Sequence, residues 1–318
     1  MQVLHGIEGL RSLPRGAIMT IGNFDGVHRG HRCILRECHD LTAAGEPVAV
    51  VTFEPHPLTV LRPSAVAPRL TPPEMKQELI AALGVEFYVV LPPTQEVLNL
   101  SAEDFWKLLR DEVRPAHLIE GHDFTFGKNR GGDVRKLTEW AAHSGMRFEL
   151  ISPVQVALLN LTLAQPSSSL IRWLLTSGRV RDAAICLARP YALRGEVVQG
   201  FGRGRTIGVP TANLRVADQL VPLDGVYAGR CRIDSQTYPA AVSIGDMPTF
   251  GGGPRQVEAH LLGFDGDLYG KRLDLELVDW LRDQLKFGGI EDLKLQIDQD
   301  ISATRRRCKV DPSVPIAV

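Results

Sequence analysis

The chain has 318 residues, 44% of them hydrophobic and 23% charged, and a net charge of -1 at pH 7. That balance describes a globular protein long enough for two domains, each with its own core, and it leaves no global basic field of the kind that draws nucleic acid. No run approaches the roughly 18 apolar residues of a membrane span, the opening MQVLHGIEGLRSLPRG lacks the regions of a signal peptide, and five cysteines without a CxxC pair fit free thiols, so a cytoplasmic protein with neither membrane nor nucleic acid as partner is expected.

Ala17 to Ile21 is an apolar run that predicts a buried strand, and it breaks at Gly22 into the glycine-punctuated stretch TIGNFDGVHRGH. From about Arg29, Ile34, Leu35, Cys38 and Leu41 recur at helical spacing, so the turn delivers His28 and His31 to a helix N-terminus. Free N–H groups and the positive end of the helix dipole favour an anion there, and Gly26 and Gly30 let the backbone approach closely. Two imidazoles three residues apart share a side and can donate hydrogen bonds to charge developing on a phosphate. An isolated pair would read more readily as a helix cap or as two of three metal ligands. Gly22, Asn23, Phe24, Asp25 and Gly26, set between strand and helix, turn the reading toward a nucleotide.

Pro47 to Phe53 predicts a second strand, emptying into Glu54-Pro55-His56-Pro57. Pro72-Pro73 opens a helix through Leu83, Val85 to Leu91 is another buried strand, and Ser101 caps the helix SAEDFWKLLRDEV with Asp104 at its third position. His117 to Glu120 is a further strand, followed by a loop from Gly121 to Asp133 and a helix from Val134 to Ser144. Such alternation implies a doubly wound parallel sheet, an α/β Rossmann-like domain whose ligands gather at the carboxyl ends of the strands. In the loop, Phe124 and Phe126 stand with Lys128 and Arg130, which reads either as a mobile surface segment or as rings and cations bracketing a flat heterocycle and its phosphate. Pro166 to Arg172 then brings three serines and Arg172 to the entrance of a helix continuing through WLLTSGRVRDAAICL; the serines are alternative caps or phosphate contacts.

From Arg194 the pattern changes to short strands with glycine turns, a small closed antiparallel β-barrel, followed by a C-terminal helix from Ile290 to about Arg307 with Leu293, Ile297 and Ile301 on one stripe. In GFGRGRTIGVPTANL, Gly202, Gly204 and Gly208 would let N–H groups wrap a phosphate, and Thr211 and Asn213, on one strand face after Pro210, offer oxygens to a hard cation such as magnesium. On spacing alone a hairpin turn and an ordinary strand is the preferred reading. Glu258 alternates with Val257, Ala259 and Leu261 and either meets water or, beside a phosphate site, accepts the proton of an attacking hydroxyl.

Together, GNFDGVHRGH, FEPHP, the GxDFxFGxxRxGD form of the loop, GRGRTIGVPTANL, DGVYAG, PTFGGG, VEAHLLGFDGDLYG and RDQLKF resemble the bacterial bifunctional riboflavin kinase and FAD synthetase family over nearly the whole chain. The resemblance implies a nucleotidyltransferase domain over 1–187, which adenylylates FMN to FAD with release of pyrophosphate, and a riboflavin kinase barrel over 188–318, which makes FMN. It implies ATP, riboflavin and FMN as substrates, Mg2+ as cofactor, and a monomer or weak homo-oligomer. By position it makes His28 and His31 the adenylyl-transfer residues and puts Gly22, Asn23, Phe24, Asp25, Gly26, Gly30, Ser168, Ser169 and Arg172 beside ATP. It puts His56, Asp123, Phe124, Phe126 and Arg130 around the flavin, and Gly202, Gly204, Arg205, Gly208, Pro210, Thr211 and Asn213 around the kinase ATP, with Thr211 and Asn213 on the metal and Glu258 as the base.

Three positions depart from the family pattern: Leu170 replaces an arginine, Ser243 an asparagine and Gln284 a glutamate. Loss of the arginine implies weaker ATP affinity or slower adenylylation, and Leu170→Arg is expected to improve the steady-state constants with FMN and ATP; unchanged constants would refute this. Two other readings remain at this level, a kinase with a degenerate first domain and a flavin-binding sensor without turnover.

Overall fold

The computed structural model describes residues 1–42, 45–200, 204, 208–246 and 255–309. The chain divides into two compact units, Met1–Gln155 and Val156–Val318.

In the first unit, strands β1 (Gln2–His5), β2 (Ile18–Gly22), β3 (Val48–Phe53), β4 (Phe87–Leu91), β5 (His117–Gly121) and β6 (Arg147–Ile151) form one parallel sheet in the order β1-β4-β3-β2-β5-β6. The central strands read as unbroken apolar runs because both faces are covered. Along β3, Val48 and Val50 join a core with Leu35, Cys38 and Ile80, while Ala49 and Val51 join the opposite one with Leu10, Phe105, Trp106 and Leu137. Helices α1 (Gly6–Arg11), α4 (Ala102–Lys107) and α5 (Val134–Ser144) cover one face, and α2 (Arg29–Asp40) and α3 (Pro73–Ala81) the other. Ser101 caps α4 as expected, its hydroxyl accepting from Asp104 N–H (3.0 Å), but the segment Leu108–Val113 continues as a wider π-helical turn.

The chain leaves β2 toward β3 on one side and reaches β5 on the other, so the sheet changes direction between β2 and β5. Their ladder pairs only Ile18 with His117 and Met19 with Leu118, and beyond that the paired register stops. The crevice for a ligand in an open α/β sheet lies at such a point, beyond the carboxyl ends of the strands.

The second unit begins its helical part with α6 (Ser168–Thr176) and α7 (Val180–Leu187). The sequence reads through these as one helix; Gly178 breaks it at φ 72°, where a Cβ would lie 2.8 Å from the Trp280 ring, a position and a backbone conformation that suit glycine alone. Six strands follow, β7 (Tyr191–Val198), β8 (Ala212–Val216), β9 (Gly225–Ile233), β10 (Gln236–Gly245), β11 (Gln256–Leu261) and β12 (Arg272–Arg282), and they close an antiparallel barrel in the order β7-β8-β11-β10-β9-β12. Leu193, Val197, Leu214, Val242, Val257, Ala259 and Leu275 alternate with more exposed neighbours and fill it. The last helix, α8 (Ile290–Cys308), packs on β9 and β10. Among the described residues no helix is long and apolar enough to cross a membrane.

Candidate functional site

The turn from Gly22 to His28 is held by its surroundings rather than by its own preferences. Phe24 and Val27 have φ of 51° and 43°, a region that costs any non-glycine residue, and a β-branched one most. Both side chains are buried in the core that also holds Leu35. The Asp25 carboxylate accepts from the N–H groups of Leu70 and Thr71, both at 3.0 Å, and Gly26 N–H donates to Thr71 Oγ1 (3.1 Å). Asp25 thereby fastens the turn to the segment before α3, so its carboxylate is occupied by backbone as well as lying in the expected ATP motif.

His28 ends the turn in extended conformation, and Gly30 and His31 stand in the first turn of α2. The two imidazoles stack with centroids 3.6 Å apart and planes 20° from parallel, and the Phe24 ring lies 5.0 Å from His31. Burial above all, then the neighbouring His28 and Lys76, pushes His31 well below the usual imidazole range. It is therefore a neutral ring with one N–H to give and no charge to desolvate. His31 Nδ1 and the side-chain oxygen of Asn23 are buried without a hydrogen-bond partner among the described residues, so the pocket of the turn carries polar groups that its own fold leaves unsatisfied.

Two further elements of this site were not found from the sequence. Lys76, 4% exposed, donates to Glu54 Oε2 (3.0 Å) and to the main-chain oxygen of Asn23 (3.3 Å), while Arg69 bonds the other oxygen of Glu54. A buried cation needs such partners, and this one sits directly beneath the turn. The signal was present: Lys76 precedes Ile80 by one helical turn, which places a charge on the buried stripe of α3. The second is Glu120, at the end of β5. Where the β2–β5 ladder stops, its Oε1 accepts the Ile21 N–H at 2.8 Å, a side chain standing in for the missing main-chain partner.

Burial pushes the Glu120 carboxyl well above the ordinary range; the Ile21 N–H opposes this and the Asp123 carboxylate adds to it. The folded protein then holds this proton more tightly than the unfolded chain, so the group's stabilising share is full below the unfolded value and is lost as pH rises toward the folded one. Glu120→Gln keeps an oxygen for Ile21 without that loss. Its melting temperature is expected to match the native protein at about pH 4 and exceed it at about pH 8; an equal difference at both would show that Glu120 holds its proton no more tightly in the folded protein than in the unfolded chain.

The residues expected around the flavin divide. Phe126 is 7% exposed and belongs to the core, 5.8 Å from the Phe105 ring and 6.2 Å from Trp140. Phe124 is half-buried and stacks on it at 5.7 Å and 15°. Asp123 and Arg130 are exposed, and His56 accepts the Leu58 N–H on Nδ1 (3.1 Å) in the loop after β3. Ser168, Ser169 and Arg172 lie in α6, in the second compact unit, and Ser167 is the residue that caps it, accepting from Leu170 N–H at 3.2 Å.

In the barrel, register places Asn213, Glu258 and Ser243 side by side across β8, β11 and β10. Asn213 Oδ1 is buried with no hydrogen-bond partner among the described residues. Its amide lies against Gly200, where any Cβ would overlap it, so the loop approaches this side chain as closely as a backbone can. Val209 N–H donates to the Gly204 carbonyl (2.8 Å), closing the loop ahead of Thr211, and His260 Nδ1 lies 2.7 Å from the Pro210 carbonyl oxygen. Gly208 takes φ 83° within it. Gly202, Arg205 and the PTFGGG stretch lie outside the described residues. Among the described residues no cluster of three or more His, Cys, Asp or Glu is placed to hold a metal; the Asn213 amide and the Thr211 hydroxyl are among the oxygens on these strands that suit a hard cation.

Two family models match the chain, FAD synthetase over residues 10–160 and riboflavin kinase over residues 187–308. The chain is 37% identical to the bifunctional riboflavin kinase/FMN adenylyltransferase of Pseudomonas fluorescens over 309 residues, 96% of this chain and 97% of that one. It is 36% identical to the protein of the same description from Listeria monocytogenes, covering 91% of each, and 34% identical to that of Escherichia coli K12, covering 94% and 96%. A crystal structure described as a macrolide-efflux protein from Streptococcus pneumoniae superposes with a TM-score of 0.85 at 28% identity, covering 96% of this chain and 99% of that one.

Proposed function

From the premise that the chain belongs to the bifunctional riboflavin kinase/FMN adenylyltransferase family, we propose that residues 1–187 carry the adenylylation and residues 188–318 the phosphorylation. The protein is an ATP-dependent transferase that converts riboflavin to FMN and FMN to FAD. The observation that carries the adenylylation site is the stacked pair of His28 and His31 at the mouth of α2, with His31 held neutral.

In that reaction an oxygen of the FMN phosphate forms a bond to the α-phosphorus of ATP, the bond from that phosphorus to the β-phosphate oxygen breaks, and pyrophosphate leaves. The nucleophile is already an anion, so no protein base is required; positioning and charge stabilisation carry the step. His28 and His31 donate hydrogen bonds to the α-phosphoryl oxygens, the Gly22–Gly26 turn and Gly30 leave room for the phosphates, and Phe124, with Asp123, His56 and Arg130, borders the flavin. Phe126 supports Phe124 from the core.

In the kinase reaction the ribityl hydroxyl attacks the γ-phosphorus, ADP leaves, and Glu258 takes the hydroxyl proton. Thr211 and Asn213 hold Mg2+, and the buried, unpaired Oδ1 of Asn213 suits that role. When bound, the ion supplies neutralisation of phosphate charge. Gly204, Gly208 and Pro210 shape the loop over the nucleotide. The protein works on small molecules in the cytoplasm, as a monomer or weak homo-oligomer.

The test is to incubate the protein with riboflavin, ATP and Mg2+ and to resolve the flavins by chromatography over time. FMN followed by FAD is expected. FMN alone would mark the first unit as degenerate, and binding without product would mark a sensor.

A further inference from the structure

The Lys76 ammonium, carried by α3, donates to the Asn23 main-chain oxygen at 3.3 Å, to Thr52 Oγ1 at 3.4 Å and to Glu54 Oε2 at 3.0 Å. All three of its hydrogens are thereby committed. The Thr52 hydroxyl, having accepted from Lys76, gives its own hydrogen to the same Asn23 oxygen at 3.3 Å. One carbonyl is thus held by two donors. Glu54 is fixed in turn by Arg69, and the next two residues, Leu70 and Thr71, grip the Asp25 carboxylate through their N–H groups. The stretch from Arg69 to Lys76 clamps the turn at Asn23 and again at Asp25.

A peptide whose carbonyl is fixed has its N–H fixed as well. The Asn23–Phe24 bond is trans, so the Phe24 N–H points away from Lys76 and Thr52. It donates no hydrogen bond among the described residues. The side-chain oxygen of Asn23 is likewise buried without a partner, and Phe24 takes φ 51°, a conformation that persists only where the surroundings impose it. Replacing a buried ion pair by apolar side chains of similar volume is often neutral or stabilising. Stability alone therefore does not call for a charge at this position; the grip on Asn23 does.

We propose that Lys76 is a positioning residue of the adenylylation: through the Asn23 carbonyl it sets the Asn23–Phe24 peptide, so that the Phe24 N–H is presented, already oriented, to an oxygen of the transferred phosphoryl group. This rests on the assignment of that reaction to the turn and the histidine pair. Lys76 itself touches no substrate.

The experiment is steady-state kinetics of FAD formation by the full chain from FMN, ATP and Mg2+, with melting temperature and FMN formation from riboflavin measured beside it. Thr52→Val removes the hydroxyl at nearly constant volume and is expected to lower kcat about tenfold, the scale of a hydrogen bond in a network with a charged group, with little change in either KM. Thr52→Ser keeps the hydroxyl and is expected to restore the rate. Lys76→Met combined with Glu54→Gln removes the charge without leaving a buried carboxylate short of a partner, and is expected to lower kcat about a hundredfold, the effect of one lost preorganised donor. FMN formation should be native in all of them. A native kcat in the Lys76→Met, Glu54→Gln protein, a loss confined to KM, or a Thr52→Ser protein no faster than Thr52→Val would each overturn the proposal. Should the combined variant fail to fold, the two Thr52 variants decide by the same criteria. Replacing His28 and His31 with alanine separates the two levels. If that protein still makes FAD at the native rate, the site assignment fails and the proposal with it; if it makes none while Thr52→Val and the combined variant keep a native kcat, only the positioning role fails.

Discussion

With His28 and His31 both replaced by alanine, the protein is expected to convert riboflavin to FMN at its native rate and to form no detectable FAD. On the proposed assignment each ring supplies a preorganised donor where charge develops on the transferred phosphoryl group, and removing one such donor lowers kcat by about 10²–10³, roughly 3–4 kcal/mol. A single replacement should therefore leave a measurable residue of adenylylation, and the pair should not. The rings also stabilise one another, stacked at 3.6 Å, so part of the effect of either single change is loss of orientation in the other. His31→Gln, which retains an N–H, should fall between native protein and His31→Ala. The measurement is FAD produced from FMN and ATP, run beside FMN produced from riboflavin and ATP. Loss of FMN formation as well would mean that the two reactions do not have separate sites.

Much of this site is visible in the chain because it is local. A buried strand, six turn residues and a helix start are contiguous between Ile18 and His31, and both glycine spacing and helical periodicity report on contiguous residues. The barrel is visible for the same reason, as alternation interrupted by turns. What stayed hidden depends on pairings far apart in sequence. Glu120 acts on Ile21, 99 residues away, only because two strands part at that point. Lys76 reaches Glu54 and Asn23 from a separate helix. Phe124 and Phe126 are indistinguishable in the segment DFTF, yet one is half-buried in front and the other is core. The break between α6 and α7 at Gly178 reads through in the sequence as one helix, and the Trp280 ring that a side chain there would meet belongs to a strand far along the chain.

Glu258→Gln is expected to give the opposite phenotype: FMN formation from riboflavin reduced by about 10²–10⁴, the usual range for a general acid or base, with FAD formation from supplied FMN unchanged. Glutamine has the shape of glutamate and keeps its place between Asn213 and Ser243 in the ladder. The amide cannot take up the ribityl proton, so the loss should fall on kcat with little change in KM. On the same assignment a charge also disappears beside the triphosphate; if that were the dominant effect, ATP would bind more tightly to the variant while kcat held. The two outcomes part cleanly in a kcat and KM comparison. Of the side chains facing this stretch of the barrel, Asn213 and Ser243 have no proton-accepting form at neutral pH, whereas His260, whose Nδ1 donates to the Pro210 carbonyl, keeps Nε2 as an acceptor. A kinase that runs at full rate with glutamine at 258 would therefore have its attacking hydroxyl activated by another group, His260 Nε2 or the phosphate itself, and Glu258 would be an ordinary strand glutamate.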